Sequence, residues 1–432
     1  MDINPMVVIP TFWTKGDSAR AGSDSRPERR RSSSSGTGTG TPDAPFSHPT
    51  SLSDEHPPLA DCLNSLCGVE GLGRIAILVA TDDAAIEVRA DERVRAIVEQ
   101  FPGLDIFVFG TTEAGSLYRR LDQLELGALT GAFSLRSYGA VRNLGLAVAA
   151  IFGADAIVFI NDDELVESPD FLHKATFGIG HPIHSGGYLF AKSGLVRDLQ
   201  GNYYNEYEQH WADMLWHYNE AFNKAVQTAL RPPQMHRAQF AFGGCLTIHR
   251  EMYTKIAFDP WIMRGEDVDY VINARLHGGD VYLDDQWSIR QKPSVSRGEA
   301  ARFRQNVYRF VYEHRKLEFA KSQVDLAQVS PASLMPFPGE FIASSIMPRA
   351  FITAILHAIS GPNRGDFWRV AFDSLSHAST YARENCVNYF ALQRVWSHAL
   401  TKIWRDVALH SLFTGERNID RSALTGSFKA IL

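Results

Sequence analysis

The feature that most constrains this chain is an alternation of two kinds of apolar pattern. Val7-Val8-Ile9, Arg74–Ala80 (RIAILVA), Leu104–Phe109 (LDIFVF) and Ala156–Ile160 (AIVFI) are short and almost uninterrupted apolar runs. Such a strand must be covered on both faces, which is the condition of a parallel sheet between helices. Leu59–Leu66, Asp91–Gln100 and Ser137–Phe152 lie between the runs and read as helices. In the last of these, Val141, Leu144, Val148 and Ile151 recur at spacings of three and four, which places them on one helix face. The expected class is therefore α/β, with a mostly parallel sheet. From about Ala320 onward strand-like runs cease, and Ala371–Tyr381 and Tyr389–Asp406 predict an all-helical C-terminal region.

The composition breaks sharply once. Residues 14–58 are rich in Ser, Gly, Thr, Pro and Arg and carry almost no core formers, so they cannot bury enough apolar surface to offset their chain entropy. They follow the first strand, which makes them an expected disordered insertion inside a domain spanning 1–319, with 320–432 as the helical region. The run Arg29-Arg30-Arg31 within it reads as a solvated patch or as a phosphate- or lipid-contacting one. Elsewhere 45% hydrophobic positions in 432 residues exclude a wholly disordered chain. The formal net charge of −6 lacks the basic excess of a nucleic-acid binder, and no nucleic-acid partner is expected. Cys62, Cys67, Cys245 and Cys386 have no zinc-site spacing and read as reduced thiols. Phe341–Ser360 is the most apolar long stretch, but Pro348, Arg349 and His357 interrupt it, so no integral membrane segment is expected. It reads as a buried or surface helix, or as a peripheral membrane contact. The expected location is cytoplasmic.

In an open α/β sheet, ligands bind outside the carboxyl ends of the strands. Three runs end there in polar or acidic residues: Pro10-Thr11, Thr81-Asp82-Asp83 and Asn161-Asp162-Asp163-Glu164. Three carboxylates closing an apolar strand call for a compensating cation, and hard oxygen ligands suit Mg²⁺ or Mn²⁺. The alternative is an ordinary loop before the helix signal Ser168-Pro169. A second cluster, Arg264-Gly265-Glu266-Asp267-Val268-Asp269-Tyr270, opens a helical pattern. Its acids lie where the helix dipole favours the ionised form and where one could accept a hydroxyl proton, or they form a charged cap. Upstream, Phe242-Gly243-Gly244-Cys245 permits close backbone approach to a ligand, or a tight bend. Two weaker signals remain. His181 and His184 flank a Pro-Ile pair without an acidic partner at ligand spacing. Tyr203, Tyr204, Tyr207, Trp211, Trp216 and Tyr218 fit either a sugar-stacking surface or a core face.

In this order the pieces resemble the GT-A class of nucleotide-sugar glycosyltransferases, especially family-2-like inverting enzymes. The matching segments are VVIPTF, PLADCLNSL, ILVATDD, GAVRNLGLAVAAIFGADAIVFINDDE, FGGCLTIHREMY and FDPWIMRGEDVDY, across roughly residues 5–310 with 14–58 unmatched. The resemblance implies a GT-A, Rossmann-like catalytic domain that moves a sugar from a nucleotide-diphosphate donor to a carbohydrate or other hydroxyl acceptor. It implies a divalent cation, Mn²⁺ or Mg²⁺. Pro10, Thr11, Asp82, Arg142, Asn143 and Asp162 would surround the nucleotide, with Asp163 and Asn161 on the metal. Asp267 would be the general base, and Glu266 would contact the acceptor or orient the site.

Two positions depart from the family pattern. Its metal motif has Asp where Asn161 stands, and the His it places after the Glu-Asp motif has no counterpart in Trp287–Pro293. Arg290 or Lys292 would then serve as the phosphate cation. The alternative readings are a nucleotidyltransferase, which would need a glycine-rich basic loop after the first strand, and a non-catalytic nucleotide-sugar-binding protein on the same fold.

Overall fold

The computed structural model describes residues 3–15, 46, 49–184, 186–207, 210–293, 298–361 and 363–415. Its first strand, β1 (Pro5–Thr14), runs past Pro10 and Thr11, where the run was expected to end. A proline inside a central strand lacks the N–H that a ladder needs. On one side β1 pairs in parallel with β3 (Ile75–Thr81) from Val7↔Ile75 to Trp13↔Thr81. On the other side, pairing with β5 (Ala156–Phe159) stops at Val8↔Phe159, closing on a 3.1 Å bond from Ile160 N–H to the Val8 carbonyl. The next residue of β1 facing that edge is Pro10. The strands part there, and residues 161–164 turn away into the gap.

The remaining strands are β2 (Thr50–Ser51), β4 (Ile106–Phe109), β6 (Glu164–Leu165), β7 (Ala191–Arg197), β8 (Met235–Arg237), β9 (Leu246–His249) and β10 (Tyr282–Gln291). They form one sheet in the order β4-β3-β1-β5-β9-β7-β10-β6, with β2 beside β1 and β8 beside β10. The half built on β1 is wholly parallel. Beyond β5 the sheet is mixed, because β9 runs antiparallel to both β5 and β7.

The helices are α1 (Pro58–Leu66), α2 (Glu87–Val98), α3 (Thr111–Gln123), α4 (Tyr138–Phe152), α5 (Phe171–Thr176), α6 (Tyr218–Ala229), α7 (Arg250–Tyr253), α8 (Glu266–Leu276), α9 (Glu299–Ala320), α10 (Ile346–Ser360), α11 (Arg364–Arg369), α12 (Leu375–Arg405) and α13 (Val407–Thr414). Successive residues of β1 serve opposite layers: Val7 and Ile9 pack with α1, α2 and α5, whereas Met6 and Val8 join α4 and the C-terminal helices. Helix α4 starts on the Ser137 side chain and stops at Gly153, whose φ of 74° is the left-handed cap.

Several expectations change. Where two C-terminal helices were expected, α12 is one helix of 31 residues, entered through a short π-helical turn at Val370–Ser374. The division at 319/320 falls in the last turn of α9, and one apolar core runs across it. Trp396 on α12 donates to the Tyr253 carbonyl at 2.9 Å, and Arg120 on α3 grips Asp406 at 2.6 Å. The margins of the 14–58 stretch belong to the fold: Thr14 ends β1, Thr50–Ser51 forms β2, and Phe46 is buried against Phe12 and Tyr138. Residues 16–45 and 47–48, including Arg29-Arg30-Arg31, lie outside the described residues. Within the described residues, no helix is long and apolar enough to cross a membrane. All four cysteines are free thiols.

Candidate active site

The gap opened by Pro10 is lined from below by Asp162. This residue is buried, and its carboxylate accepts from the Thr11 hydroxyl at 2.5 Å. Burial, and then the neighbouring Asp163, push its pKa up to about 7. Pro10 and Thr11 are themselves buried. Pro10 ends a ladder, and Thr11 holds Asp162. Asp82 stands half-buried just beyond β3, its N–H on the Trp13 carbonyl.

Asp163 is the member of the acidic run that reaches the surface. Gln291 at the end of β10 donates to its carboxylate at 3.1 Å, and Lys292 N–H donates to its main-chain carbonyl at 2.8 Å. Burial still raises its pKa. Glu164 turns inward instead, accepting from the Asn161 N–H at 2.8 Å and the Asn161 amide at 3.1 Å. Burial first, then Asp163, push it up to about 8. A Cβ on Gly244 would overlap the Glu164 carboxylate, and one on Gly243 would crowd the Arg142 guanidinium. The two glycines thus make room for an acid and a base of the site.

Asn161 is not placed as a metal ligand. Its side-chain oxygen accepts from Arg142 at 2.9 Å, and a guanidinium on that oxygen repels a cation there. Arg142, although 96% buried by its 4% exposure, spans two acid groups. Its Nε meets Glu266 at 3.2 Å, its plane lies over Phe159, and its Nη1 has no partner. Asn143 is also corrected. It is fully buried, and its amide both donates to the Phe258 carbonyl (2.9 Å) and accepts from the Phe258 N–H (2.8 Å). This clamps α4 to the loop before α8 and leaves nothing for a nucleotide.

Asp267 sits in the first turn of α8, with one carboxylate oxygen on the Gly243 N–H at 2.9 Å and the other on the Val268 N–H at 2.8 Å. The expected lowering of the neighbouring acids by the helix dipole does not occur. Burial first, and then Asp267, raise Glu266, and burial lifts Asp269 to about 6. Desolvation outweighs the dipole for both side chains.

Asp269 belongs to a different group on the buried side of α8. Lys316 on α9 contacts Asp269 at 2.7 Å and Asp259 at 2.6 Å, and donates to Asn273 at 3.1 Å. Tyr312 donates to Asp259 at 2.9 Å. One turn away on α9, Arg309 pairs with Glu313 at 3.0 Å and packs under Gly265, where φ is 71° and a Cβ would collide with it. This network fixes α8 and therefore Asp267. Local sequence carried no signal for Gln291, Arg309 or Lys316, whereas Glu164 was visible in the acidic run.

Beside the acidic edge lies a cavity of about 320 Å³ lined by Asp198, Tyr203, Tyr204, Phe242, Gln291 and Lys292, among others. The aromatic run divides: Tyr203 and Tyr204 line this cavity, whereas Trp216 and Tyr218 pack on Phe310 and Phe341 in the core. Arg290 is paired with Glu167 and Lys292 with Asp61, so both cations already have acidic partners. His181 and His184 are exposed. Among the described residues, the side chains that converge as an ion-binding group are Asp213, Glu299 and His357. There His357 turns Nε2 to Asp213 (2.7 Å) and Nδ1 to Glu299 (3.8 Å), an imidazole bridging two carboxylates.

No known family and no curated protein matches the sequence. Solved structures similar to the chain include the mannosyltransferase PcManGT from Pyrobaculum calidifontis in complex with GDP-Man and Mn²⁺, at 12% identity and a TM-score of 0.45, covering 95% of this chain and 87% of that one. A mycobacterial protein is similar at 12% identity and a TM-score of 0.35, covering 72% and 74%. GalNAc-T7 with UDP, GalNAc and Mn²⁺ is similar at 10% identity and a TM-score of 0.35, covering 84% of this chain and 58% of that one.

Proposed function

We propose that this chain is a GT-A-type glycosyltransferase that moves a sugar from a nucleotide-diphosphate donor to an acceptor hydroxyl, with inversion and with a divalent cation. The observation that carries the reading is the joining of two acid groups by one arginine. Arg142 ties the strand end bearing Asp163 to the helix start bearing Asp267 through Asn161 and Glu266.

The reaction needs two services, charge compensation at the departing diphosphate and removal of the acceptor proton. Asp163 fits the first. It is partly exposed, and Gln291 fixes its carboxylate, so it can take one position of a Mg²⁺ or Mn²⁺ whose other ligands are phosphate and water. Bound there, the cation would neutralise the leaving group. Asp162 and Glu164 lie buried behind Asp163, where a bound cation would favour their ionised forms. Asp267 fits the second service. Two N–H groups orient its carboxylate and leave lone pairs for a hydroxyl proton. Glu266, gripped by Arg142, positions that turn. A single base opposite the departing phosphate leads to in-line displacement and inverted stereochemistry. The Tyr203 and Tyr204 rings at the cavity offer the aromatic faces on which a sugar packs.

The test is thermal denaturation with GDP, UDP and their sugars, with and without Mn²⁺, followed by assay of donor turnover. A ligand of the native state raises the melting temperature, and a transferase releases nucleoside diphosphate. Pyrophosphate release would instead identify a nucleotidyltransferase, and a stabilising ligand without turnover a binding protein. Asp267→Ala is expected to lower turnover at least about 10²-fold, the range of a positioned base, with nucleotide binding retained. Unchanged turnover removes the base assignment.

A further inference from the structure

Helix α10 is apolar on two opposite sides. Its inner face, including Ile346, Ala350, Ala354 and Ala358, is buried in the core, whereas Phe351, Ile352 and Ile359 are 38%, 43% and 57% exposed. An apolar helix face left exposed, opposite one already buried, offers a seat for a second apolar medium. Its neighbours widen that face. Phe372, 65% exposed, meets Phe351 edge-on at 5.6 Å and stacks on Trp368 of α11 at 5.5 Å. Isolated surface hydrophobics are ordinary, but side chains from three successive segments in mutual contact form a patch.

The sequence of this face carries a small excess of arginine. Residues 346–373 hold Arg349, Arg364 and Arg369 against Asp366 and Asp373, with no Lys or Glu, in a chain of net charge −6. Arg349 is spent on the Leu215 carbonyl and on Glu340. The exposed tip is left with Arg364 and Arg369, the latter only loosely paired with Asp366 at 3.4 Å.

We propose that the α10–α11 face seats the protein on an anionic lipid bilayer. Phe351, Trp368 and Phe372 enter the boundary between headgroups and acyl chains, while Arg364 and Arg369 reach lipid phosphates. Aromatic side chains favour that depth, and arginines above it meet the negative surface potential. A second copy of the chain fits less well, because a two-fold contact sets the same patch against itself and brings the arginine tips together. With three inserted rings and two cations the attachment is reversible. It does not depend on the reaction proposed above.

Sedimentation of the full chain with phosphatidylcholine vesicles, with and without phosphatidylglycerol, tests this. The protein is expected to bind the mixed vesicles and to detach as salt rises. Phe372→Ser is expected to weaken binding by about tenfold, the equivalent of one buried aromatic side chain. Arg364→Glu with Arg369→Glu is expected to abolish the preference for anionic lipid while leaving the apolar face and the melting temperature intact. Failure to bind either vesicle at low salt overturns the proposal, as does binding that both variants leave unchanged. So does a wild-type dimer by light scattering that Phe372→Ser renders monomeric, since the face would then be a self-contact.

Discussion

On the buried side of α8, Asp259 and Asp269 share the Lys316 ammonium, with Tyr312 and Asn273 completing their hydrogen bonds. Despite burial, which works the other way, the two carboxylates hold Lys316 above its ordinary pKa. On the cleft side, Asp162, Asp163, Glu164 and Glu266 all carry raised pKa values, and Arg142 is the cation placed among them. In the first group both carboxylates touch their cation, although Asp269 is still raised to about 6. In the second, among the described residues, Arg142 pairs with one acid of the four, Glu266, and under the proposed function this separates a structural acid cluster from a ligand-binding one.

The comparison can be broken most directly by stability measurements. Lys316→Met strips two buried carboxylates of their cation and is expected to cost about 3–5 kcal/mol in urea denaturation. Asp163→Asn relieves repulsion and is expected to leave stability unchanged or higher. Equal losses in both variants would erase the distinction. A sharper version uses the ligand. At about 100 times its Kd, Mn²⁺ with a nucleoside diphosphate should stabilise the wild type by about 2.7 kcal/mol, and Asp163→Asn should lose that gain. Gly244→Ala forces a methyl group into the Glu164 carboxylate and is expected to cost about 1–3 kcal/mol, with the Mn²⁺ response weakened as Glu164 moves.

The smallest effect concerns pH. Burial lifts Glu313 from its ordinary 4.5 to about 7, so between those values the folded chain holds a proton that the unfolded chain has released. Stability is therefore greatest on the acid side and declines as pH rises through 7. Glu313→Gln should lessen that decline in melting curves recorded across the interval, with Asp162, Glu164 and Asp269 supplying the rest, and an unchanged slope would remove Glu313 as a source.

Much of the parallel half of the fold was legible because its signals are local. Arg74–Ala80 and Ala156–Ile160 became β3 and β5 within a residue at each end, and Ser137–Phe152 became α4 with Ser137 as its cap. The mixed half was not legible. Strands such as β7 and β10 are set by pairing with distant partners, and their own residues do not form continuous apolar runs. Proline misled the reading of β1, since its missing N–H breaks the ladder on one edge while the strand continues on the other.

By itself the sequence determined that buried strands would end in acids at one sheet edge and that a second acid pair would open a helix. Periodicity and burial are short-range properties of the chain, and these followed from them. Only the tertiary structure decided what each polar group touches. Asn161 meets Arg142, and Asn143 is consumed by Phe258 across 115 residues of chain. Asp163 is held by Gln291 across 128 residues, and Asp269 by Lys316 across 47. Whether an acid is spent or available depends on partners brought together by folding, and no local pattern encodes their approach.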